Sequence, residues 1–230
     1  MNRDPVLHLH ADLAGASQAL ADWVAACIRT VLEQQERASV ALPGGSTPGL
    51  FLAALAKQDL PWKRITLLPT DERFVPADHP RSNERMMRAA LQPALLAGAE
   101  WLSFASEEPR QSLEDFARHL AGRVLPVLPL SVVVCGMGED GHIASLFPGD
   151  AAANADQGEG QAIVPAFPAG LEPRLSLSAS VLRGAHEAAL LFAGEVKRHV
   201  LTEALRLGDK PVTLLRTERR RLHAFVAEQL

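Results

Sequence analysis

The chain has 230 residues, of which 47% are hydrophobic and 22% charged, and its formal net charge is −4. This composition is typical of a soluble protein with a sizeable apolar core, and the acidic balance argues against nucleic acid or an anionic membrane surface as the main partner. The two cysteines offer neither a disulfide framework nor the spacing of a metal site, and no apolar run has the length of a signal core or a membrane span. We therefore expect a cytoplasmic protein, with any anionic ligand held by a local cluster of Arg and Lys.

In the first half of the chain, helical and strand patterns alternate. Apolar residues recur at spacings of three and four across residues 13–31, which predicts an amphipathic helix with Asp12 as its N-cap. Residues 39–42 predict a short buried strand, and Thr47 and Pro48 then have the form of a helix start, a capping hydroxyl followed by proline at the first helical position. Three further elements are predicted here: a strand at 65–68, a helix capped by Ser82 and a helix capped by Ser112.

The alternation continues through the second half. Residues 132–134 and 188–192 predict buried strands, residues 174–177 a half-buried strand with period two, and residues 154–160 a surface loop. A last long helix opens after Gly194, and a final strand is predicted at 222–226. Strands that alternate with helices favour parallel strands joined by right-handed crossovers. We therefore predict one doubly wound α/β domain that spans residues 1–230, with helices on both faces of a mostly parallel sheet.

The most informative segment is the glycine-rich stretch after the strand predicted at 132–134. Glycines alternate with other residues from Gly136 to Gly141, and His142 follows directly. Open parallel sheets present chemistry in such loops, at the carboxyl ends of their strands. Glycines allow the backbone to approach a ligand closely, while Asp140 and His142 supply acid–base groups near neutral pH. A lone histidine is more often structural than catalytic, but this context favours a catalytic loop.

A second loop, at residues 43–48, also lies between a strand and a helix. Free amides at such a junction favour a phosphate or a carboxylate, whereas the alternative is an ordinary tight turn. The segment matches neither the dinucleotide fingerprint, which needs three spaced glycines, nor the Walker loop, so a small phosphorylated ligand fits better than a nucleotide. The candidate ligand-binding residues of this loop are Gly44, Gly45, Ser46 and Thr47.

Polar residues also follow the strand predicted at 65–68. Arg73 is the strongest candidate there, because a planar guanidinium can grip a phosphate or carboxylate with two hydrogen bonds. Asp71 is a further candidate for substrate binding, although a charged run is usually a solvated loop. Arg174 and Lys197 are unremarkable alone, and they matter only if the fold brings them to the same edge of the sheet as Gly44 and Arg73.

No metal site is expected from the other histidines. His8 and His10 have an H-x-H spacing, but no further ligands follow them. The remaining five occur in polar loop or helix contexts and are predicted to be surface or satisfied residues: His79, His119, His186, His199 and His223.

Five blocks of the sequence, in the same order, resemble the 6-phosphogluconolactonase family, which belongs with the glucosamine-6-phosphate deaminases. The most specific block runs from Gly136 to Gly149 and contains the Asp-Gly-His of Asp140 to His142. The other blocks are residues 42–48, residues 70–76 with His79, Ser82 and Asn83 behind them, residues 174–177 and residues 194–197. Ser131, Ile143 and the end of the last strand depart from the family's usual residues, but none of these is a proposed reacting group.

The resemblance implies a Rossmann-like fold and the hydrolysis of 6-phospho-D-glucono-1,5-lactone to 6-phospho-D-gluconate, in the oxidative pentose phosphate pathway. It implies that no metal or organic cofactor is needed and that the partner is a small sugar phosphate. It makes His142 the base that activates water, with Asp140 orienting the imidazole or binding a substrate hydroxyl. Arg73, Arg174 and Lys197 are implied as anchors for the phosphate and polar groups. A monomer or weak homo-oligomer is expected.

Two other functions compete with this interpretation. A glucosamine-6-phosphate deaminase would use the same loop, but deaminases have a glutamate shortly after the histidine, and this chain has Ala144-Ser145-Leu146-Phe147-Pro148 there. The deaminases also have an aromatic residue where Arg73 stands. A non-catalytic sugar-phosphate sensor would have a DNA-binding segment before the sugar domain, whereas the first strand here is predicted within a few tens of residues of Met1.

Overall fold

The computed structural model of the chain describes residues 4–105, 112–150 and 161–229. The surface loop predicted at residues 154–160 lies outside these ranges. No helix within them combines the length and the apolarity that a membrane crossing requires. The helices are α1 (Leu13–Gln34), α2 (Gly49–Leu55), α3 (Asn83–Ala90), α4 (Gln92–Leu96), α5 (Leu113–Val124), α6 (Ala179–Gly184) and α7 (Glu195–Leu207), with short 3₁₀ helices at Trp62–Arg64, Leu125–Val127 and Pro211–Leu215.

The strands of these ranges form two sheets. They are β1 (Val6–His10), β2 (Ala38–Leu42), β3 (Ile65–Pro69), β4 (Asp71–Arg73), β5 (Glu100–Trp101), β6 (Val132–Cys135), β7 (Ile163–Ala166), β8 (Arg174–Leu177), β9 (Glu187–Ala193) and β10 (Leu222–Ala227). The larger sheet has the order β1-β10-β9-β6-β2-β3-β5, and all its neighbouring pairs are parallel. The predicted doubly wound, mostly parallel sheet is therefore confirmed.

The order of the strands reverses between β2 and β6. From β2 the chain moves outward to β3 and β5, and from β6 it moves in the opposite direction to β9 and β10. The loops that leave β2 and β6 at their carboxyl ends therefore diverge to opposite faces and leave a crevice between them. Ligands of open α/β sheets bind at this topological switch point.

Each face of the large sheet is covered by its own apolar layer. Alternate residues of β6 face opposite ways, so that Val132 and Val134 pack in one layer and Val133 and Cys135 in the other. The first layer contains α1 to α4, with Leu20 of α1 completely buried. The second layer contains α5, α6 and α7. Helices therefore cover both faces, as the alternating sequence pattern predicts.

The capping predictions have two outcomes. Asp12, Ser82 and Ser112 accept hydrogen bonds from the first turns of α1, α3 and α5, so these three caps are confirmed. The predicted cap at Thr47 is wrong, because α2 begins at Gly49 and its N-cap is Pro48, without a side-chain hydrogen bond. Thr47 therefore belongs to the loop that precedes α2.

The smaller sheet was not predicted. It has the order β4-β8-β7, and both pairs are antiparallel. Residues 174–177 do form a strand, but they do not alternate between buried and exposed, because β8 is the central strand and three of its four residues are buried. The sheet brings residues 71–73 next to residues 174–176, although the two segments are distant in sequence.

Candidate active site

Four loops meet at the carboxyl edge of the large sheet. They follow β2, β3, β6 and β9, whose carboxyl ends lie at the same edge because the strands are parallel. Together with the β4–β8 pair, they surround a cavity of about 270 Å³ at the switch point between β2 and β6.

The structure brings the predicted substrate-binding residues and the predicted base together. Those that line the cavity are Gly44, Gly45, Ser46, Thr47, Asp71, Arg73, His142, Arg174 and Lys197. The exception among the predicted site residues is Asp140, which is not in the cavity wall and instead contacts the imidazole of His142. Arg174 and Lys197, unremarkable in the sequence, are therefore at the same edge as Gly44 and Arg73.

Asp140 and His142 form a close pair. The distance between Asp140 Oδ1 and His142 Nδ1 is 2.6 Å, and the backbone amide of His142 donates to the same oxygen at 3.1 Å. Burial tends to raise the pKa of Asp140, but these hydrogen bonds from His142 outweigh it and the pKa is lowered. An ionised carboxylate only accepts hydrogen bonds, so the proton of a neutral imidazole is on Nδ1. The lone pair of Nε2 then remains available to a ligand.

Gly138 makes room for this pair. A Cβ atom at this position would lie 2.2 Å from Nδ1 of His142 and 2.5 Å from Oδ1 of Asp140. The amide of Gly138 also donates to the carbonyl of His142 at 3.0 Å, which closes the turn. The glycine of the predicted catalytic loop is thus needed for the close approach of the two side chains.

Phe147 packs against both His142 and Arg174. Its ring centroid is 4.8 Å from that of the imidazole and 5.9 Å from Cζ of the guanidinium. An aromatic ring in this position restricts the rotation of the imidazole while it offers a favourable surface to the cation. Phe147 therefore links the predicted base to one of the predicted anchors.

Asp71 is the centre of a buried hydrogen-bond network. Its carboxylate accepts from Ser145 Oγ at 2.6 Å and from Thr70 Oγ1 at 3.3 Å, and Arg174 Nη1 is 3.9 Å away. Ser145 follows Ala144, which has a positive φ of 49°. That turn directs Ser145 inward, toward Asp71. The carboxylate is thereby fixed in the cavity wall.

Three cationic side chains face the cavity. Burial lowers the pKa of Arg174, while Asp71 acts in the opposite direction. The Nε atoms of Arg73 and Arg174 are buried without a hydrogen-bond partner among the described residues. Within the same ranges Lys197 has no hydrogen-bond or ion-pair partner. The β4–β8 register also places Arg73 directly opposite Arg174. The cavity therefore has unsatisfied donors and excess positive charge, which suit an anionic ligand.

Glu72 explains why the segment at residues 70–73 is not the solvated loop that its charges suggest. Its carboxylate is completely buried and accepts from the amides of Arg73, Asn83 and Glu84 and from the hydroxyl of Ser82. Burial raises the pKa of Glu72, and these four hydrogen bonds act against that rise. Glu72 thus ties the start of α3 to β4.

Asn83 also lines the cavity, and it was not predicted as a site residue. Its amide nitrogen donates to the carbonyl of Asp71 at 3.0 Å. The same amide lies against Gly44, where a Cβ atom would be only 2.1 Å from Asn83 Cγ. Two sequence signals pointed to Asn83: it belongs to the block of family resemblance that follows residues 70–76, and it stands just after the cap of α3, which brings its side chain to the edge of the sheet.

The described residues contain no cluster of side chains that could bind a metal ion. In the three described ranges, no three His, Cys, Asp or Glu side chains converge as a metal ion would require. His8 and His223 instead contact each other, with 3.1 Å between Nε2 and Nδ1. The cavity offers one imidazole, one buried carboxylate and three cations, which can transfer a proton and bind an anion.

Comparison with known proteins is consistent with this geometry. Residues 11–224 match the family model described as glucosamine-6-phosphate isomerases/6-phosphogluconolactonase. A 6-phosphogluconolactonase of Rhizobium meliloti (strain 1021) is 34% identical over 94% of this chain and 94% of its own length, and one of Pseudomonas aeruginosa is 36% identical over 89% and 87%. The crystal structure of a 6-phosphogluconolactonase from Shewanella baltica OS155 superposes with a TM-score of 0.88, at 26% identity and 99% coverage of both chains. That of Thermotoga maritima gives 0.82, at 25% identity, over 97% of this chain and 99% of the other.

Proposed function

This chain belongs to the family of glucosamine-6-phosphate isomerases and 6-phosphogluconolactonases, and we propose that it hydrolyses 6-phospho-D-glucono-1,5-lactone to 6-phospho-D-gluconate with His142 activating water. The observation that carries the proposal is one cavity in which an imidazole held by Asp140 faces three cationic side chains. The cations suit the phosphate of the substrate, and the imidazole suits an ester that water must attack. The reaction is a step of the oxidative pentose phosphate pathway.

The chemistry follows from the lactone itself. Its carbonyl carbon is electrophilic, so the protein must position the ring, remove a proton from water and stabilise the oxyanion. Nε2 of His142 takes the water proton as the new C–O bond forms. The imidazolium then returns a proton to the ring oxygen as the C–O bond of the lactone breaks, so that no external acid is needed. Asp140 orients the imidazole and stabilises its charge in between.

Three backbone amides of the glycine-rich loop already donate hydrogen bonds within the protein, so they are not candidates to stabilise the oxyanion. The amides of Gly138 and Gly141 donate to carbonyls within the loop, and that of His142 donates to Asp140. Arg174, whose Nε lacks a partner among the described residues, is a candidate for a polar group of the sugar. We assign the phosphate to Arg73 and Lys197, together with the loop of Gly44, Gly45, Ser46 and Thr47.

The decisive experiment compares the wild-type protein with His142→Ala on freshly prepared lactone, with spontaneous hydrolysis subtracted. The wild type should exceed buffer, and the variant should fold normally and lose about 10²–10⁴-fold in kcat, as expected for a positioned general base. Near-wild-type turnover by a folded variant would remove His142 from the mechanism. Binding without turnover by the wild type would support the sensor interpretation. Release of ammonia from glucosamine 6-phosphate would support the deaminase.

We also propose a cytoplasmic location and a monomer or weak homo-oligomer, with no nucleic-acid partner. Both Cys27 and Cys135 are free thiols, which fits a reducing compartment. The net charge of −4 disfavours a polyanionic partner. Light scattering coupled to gel filtration, over a range of protein concentrations, gives the oligomeric state directly.

A further inference from the structure

The catalytic loop is held from its outer side by a segment that does not line the cavity. Lys210 Nζ donates to the carbonyl oxygen of Asp140 at 3.2 Å, and the amide of Val212 donates to the carbonyl oxygen of Gly141 at 3.1 Å. Both carbonyls belong to the peptide units between Asp140 and His142. The segment of residues 210–212, which we call the outer clasp, therefore grips the turn that carries the proposed catalytic pair.

The turn's own hydrogen bonds do not use these two carbonyls. Inside it, the amide of Gly138 donates to His142 O at 3.0 Å and the amide of Gly141 to Gly138 O at 3.1 Å. The amide of His142 donates to the Asp140 side chain at 3.1 Å. The carbonyls of Asp140 and Gly141 thus depend on the outer clasp for a protein partner.

Gly141 fits the side chain of Lys210 closely. It has a positive φ of 84°, and a Cβ atom there would lie 2.6 Å from Cδ of Lys210. The aliphatic part of the lysine thus covers the glycine, and its ammonium reaches the preceding carbonyl. A lysine suits this position better than a shorter donor, because its methylene groups pack on the glycine while its ammonium group donates the hydrogen bond.

The outer clasp is itself anchored to the core. The hydroxyl of Thr213 donates to Lys210 O at 2.7 Å, which secures the start of the 3₁₀ helix Pro211–Leu215. At the other end, the buried guanidinium of Arg220 donates to Leu215 O at 2.9 Å and also reaches the carbonyls of Leu182 and Ala185. The clasp is therefore a rigid support for the loop.

We propose that Lys210 is a positioning residue for hydrolysis: by fixing the Asp140 carbonyl, it holds the Asp140 carboxylate against Nδ1 of His142. Lys210 is not in the wall of the cavity, so it acts through Asp140 and not on the substrate. A misplacement of about 1 Å, caused by a change away from the reacting atoms, is enough to lose productive geometry. The inference rests on the proposed function for its kinetic consequence, but the geometry of the pair can be measured without turnover.

The test uses three variants. Lys210→Met keeps the stem over Gly141 and removes the donor, and it should lower kcat about 10-fold, because the imidazole loses its productive geometry, with KM nearly unchanged. Lys210→Arg restores a donor and should recover most of the rate. The matched control is Lys63→Met, because Lys63 covers Gly98 in the same way: that glycine has a φ of 103°, and a Cβ atom would lie 2.8 Å from Lys63 Cγ. The control should match the wild type.

The readout that does not need turnover is the two-bond ¹H–¹⁵N spectrum of His142, which reports which ring nitrogen carries the proton. We expect the Nδ1–H form to dominate in the wild type and Lys210→Arg, and the Nε2–H form to increase in Lys210→Met. Equal kcat and equal spectra in the wild type and Lys210→Met would overturn the inference. So would a rate loss shared by Lys210→Arg. If the wild type lacks lactonase activity, the proposed function fails, and the spectra alone decide the role of Lys210.

Discussion

In the proposed mechanism, the Asp140–His142 pair performs the chemistry and the cationic side chains bind the substrate. The imidazole is fixed by a carboxylate on one side and by the ring of Phe147 on another, so little is left for the substrate to organise. Arg73 of β4 and Lys197 of α7 line a different part of the cavity wall. The proposed roles therefore separate the reacting carbonyl from the remote phosphate, and single substitutions can test the two parts independently.

The phosphate assignment predicts a change in substrate preference. Arg73→Ala and Lys197→Ala should each erode the preference for the phosphorylated lactone, because each forfeits a charge-assisted hydrogen bond of about 1.5–3 kcal/mol. Turnover of plain gluconolactone should remain nearly unchanged. Steady-state kinetics on both lactones measure this, with Arg198→Ala as the control, since Arg198 follows Lys197 on α7 but pairs with Glu195 outside the cavity. Equal losses on the two substrates would contradict the assignment.

At the scale of elements, Glu72 joins the start of α3 to the small sheet and so places Asn83 beside Gly44. Glu72→Gln should lower the free energy of unfolding by about 1–3 kcal/mol, because the new NH₂ group must face at least one N–H donor. KM should also rise as Asn83 and Arg73 lose their support. Urea denaturation and kinetics measure the two effects. Glu114→Gln, in the exposed first turn of α5, is the control and should change neither value.

The edge strand β1 contributes a pH dependence through His8. Its ring stacks on Phe225 with 4.2 Å between centroids and contacts His223, and burial lowers the pKa of both histidines. Nearby positive charge lowers these two pKa values further. It comes from His10 beside His8 and from Arg221 beside His223. The unfolded chain therefore binds protons first as pH falls below about 6.5, so this contribution to stability is present above that pH and lost on acidification.

The double variant His8→Phe/His223→Phe should accordingly flatten the fall in unfolding free energy between neutral and mildly acidic pH. Urea titrations at a series of pH values give the slope. His119→Asn, at an exposed position of α5, should leave the slope as it is in the wild type. A steep fall that persists in the double variant would assign the acid sensitivity to other groups.

The elements differ in how far local sequence determines them. α1 is predictable because its apolar periodicity and its Asp12 cap agree, and the buried strands are predictable because they are short apolar runs between turn residues. β4 is not, because its three polar residues form a strand only by pairing with β8, which comes from a distant part of the chain. Thr47 has the form of a cap, but α2 begins two residues later, after Pro48.

The site follows the same rule. Gly44, Arg73 and His142 could be predicted because they belong to the segments that follow β2, β3 and β6, and parallel strands share a carboxyl edge. Asn83 and Lys210 could not, because their contacts with Gly44 and Asp140 join segments that are far apart in sequence. The burial of Glu72 could not be predicted, because a charged residue is expected at the surface. The four donors that allow this carboxylate to be buried are evident only in the folded structure.

At the scale of the whole molecule, both apolar layers share the large sheet as their common wall. Neither layer can lose its contacts without exposing one face of β6 and β9. We therefore propose that residues 1–230 unfold as one domain, in a single transition that fluorescence and circular dichroism report with the same midpoint. The tryptophans give a local probe, since Trp62 is buried in the layer that contains α1. Separate midpoints for the two signals would divide the chain into independent units.

The register of β4 and β8 predicts that ligand binding stabilises the protein. Arg73 stands directly opposite Arg174, and like charges in that position repel each other across a pair of strands. If Arg73 holds the phosphate as we propose, ligand binding offsets this repulsion and favours the folded state. Saturating 6-phosphogluconate should therefore raise the melting temperature more than gluconate does, and Arg73→Gln should shrink the difference. By mass action, sugar phosphates that bind the site would then lower the unfolded population and slow proteolysis of the protein.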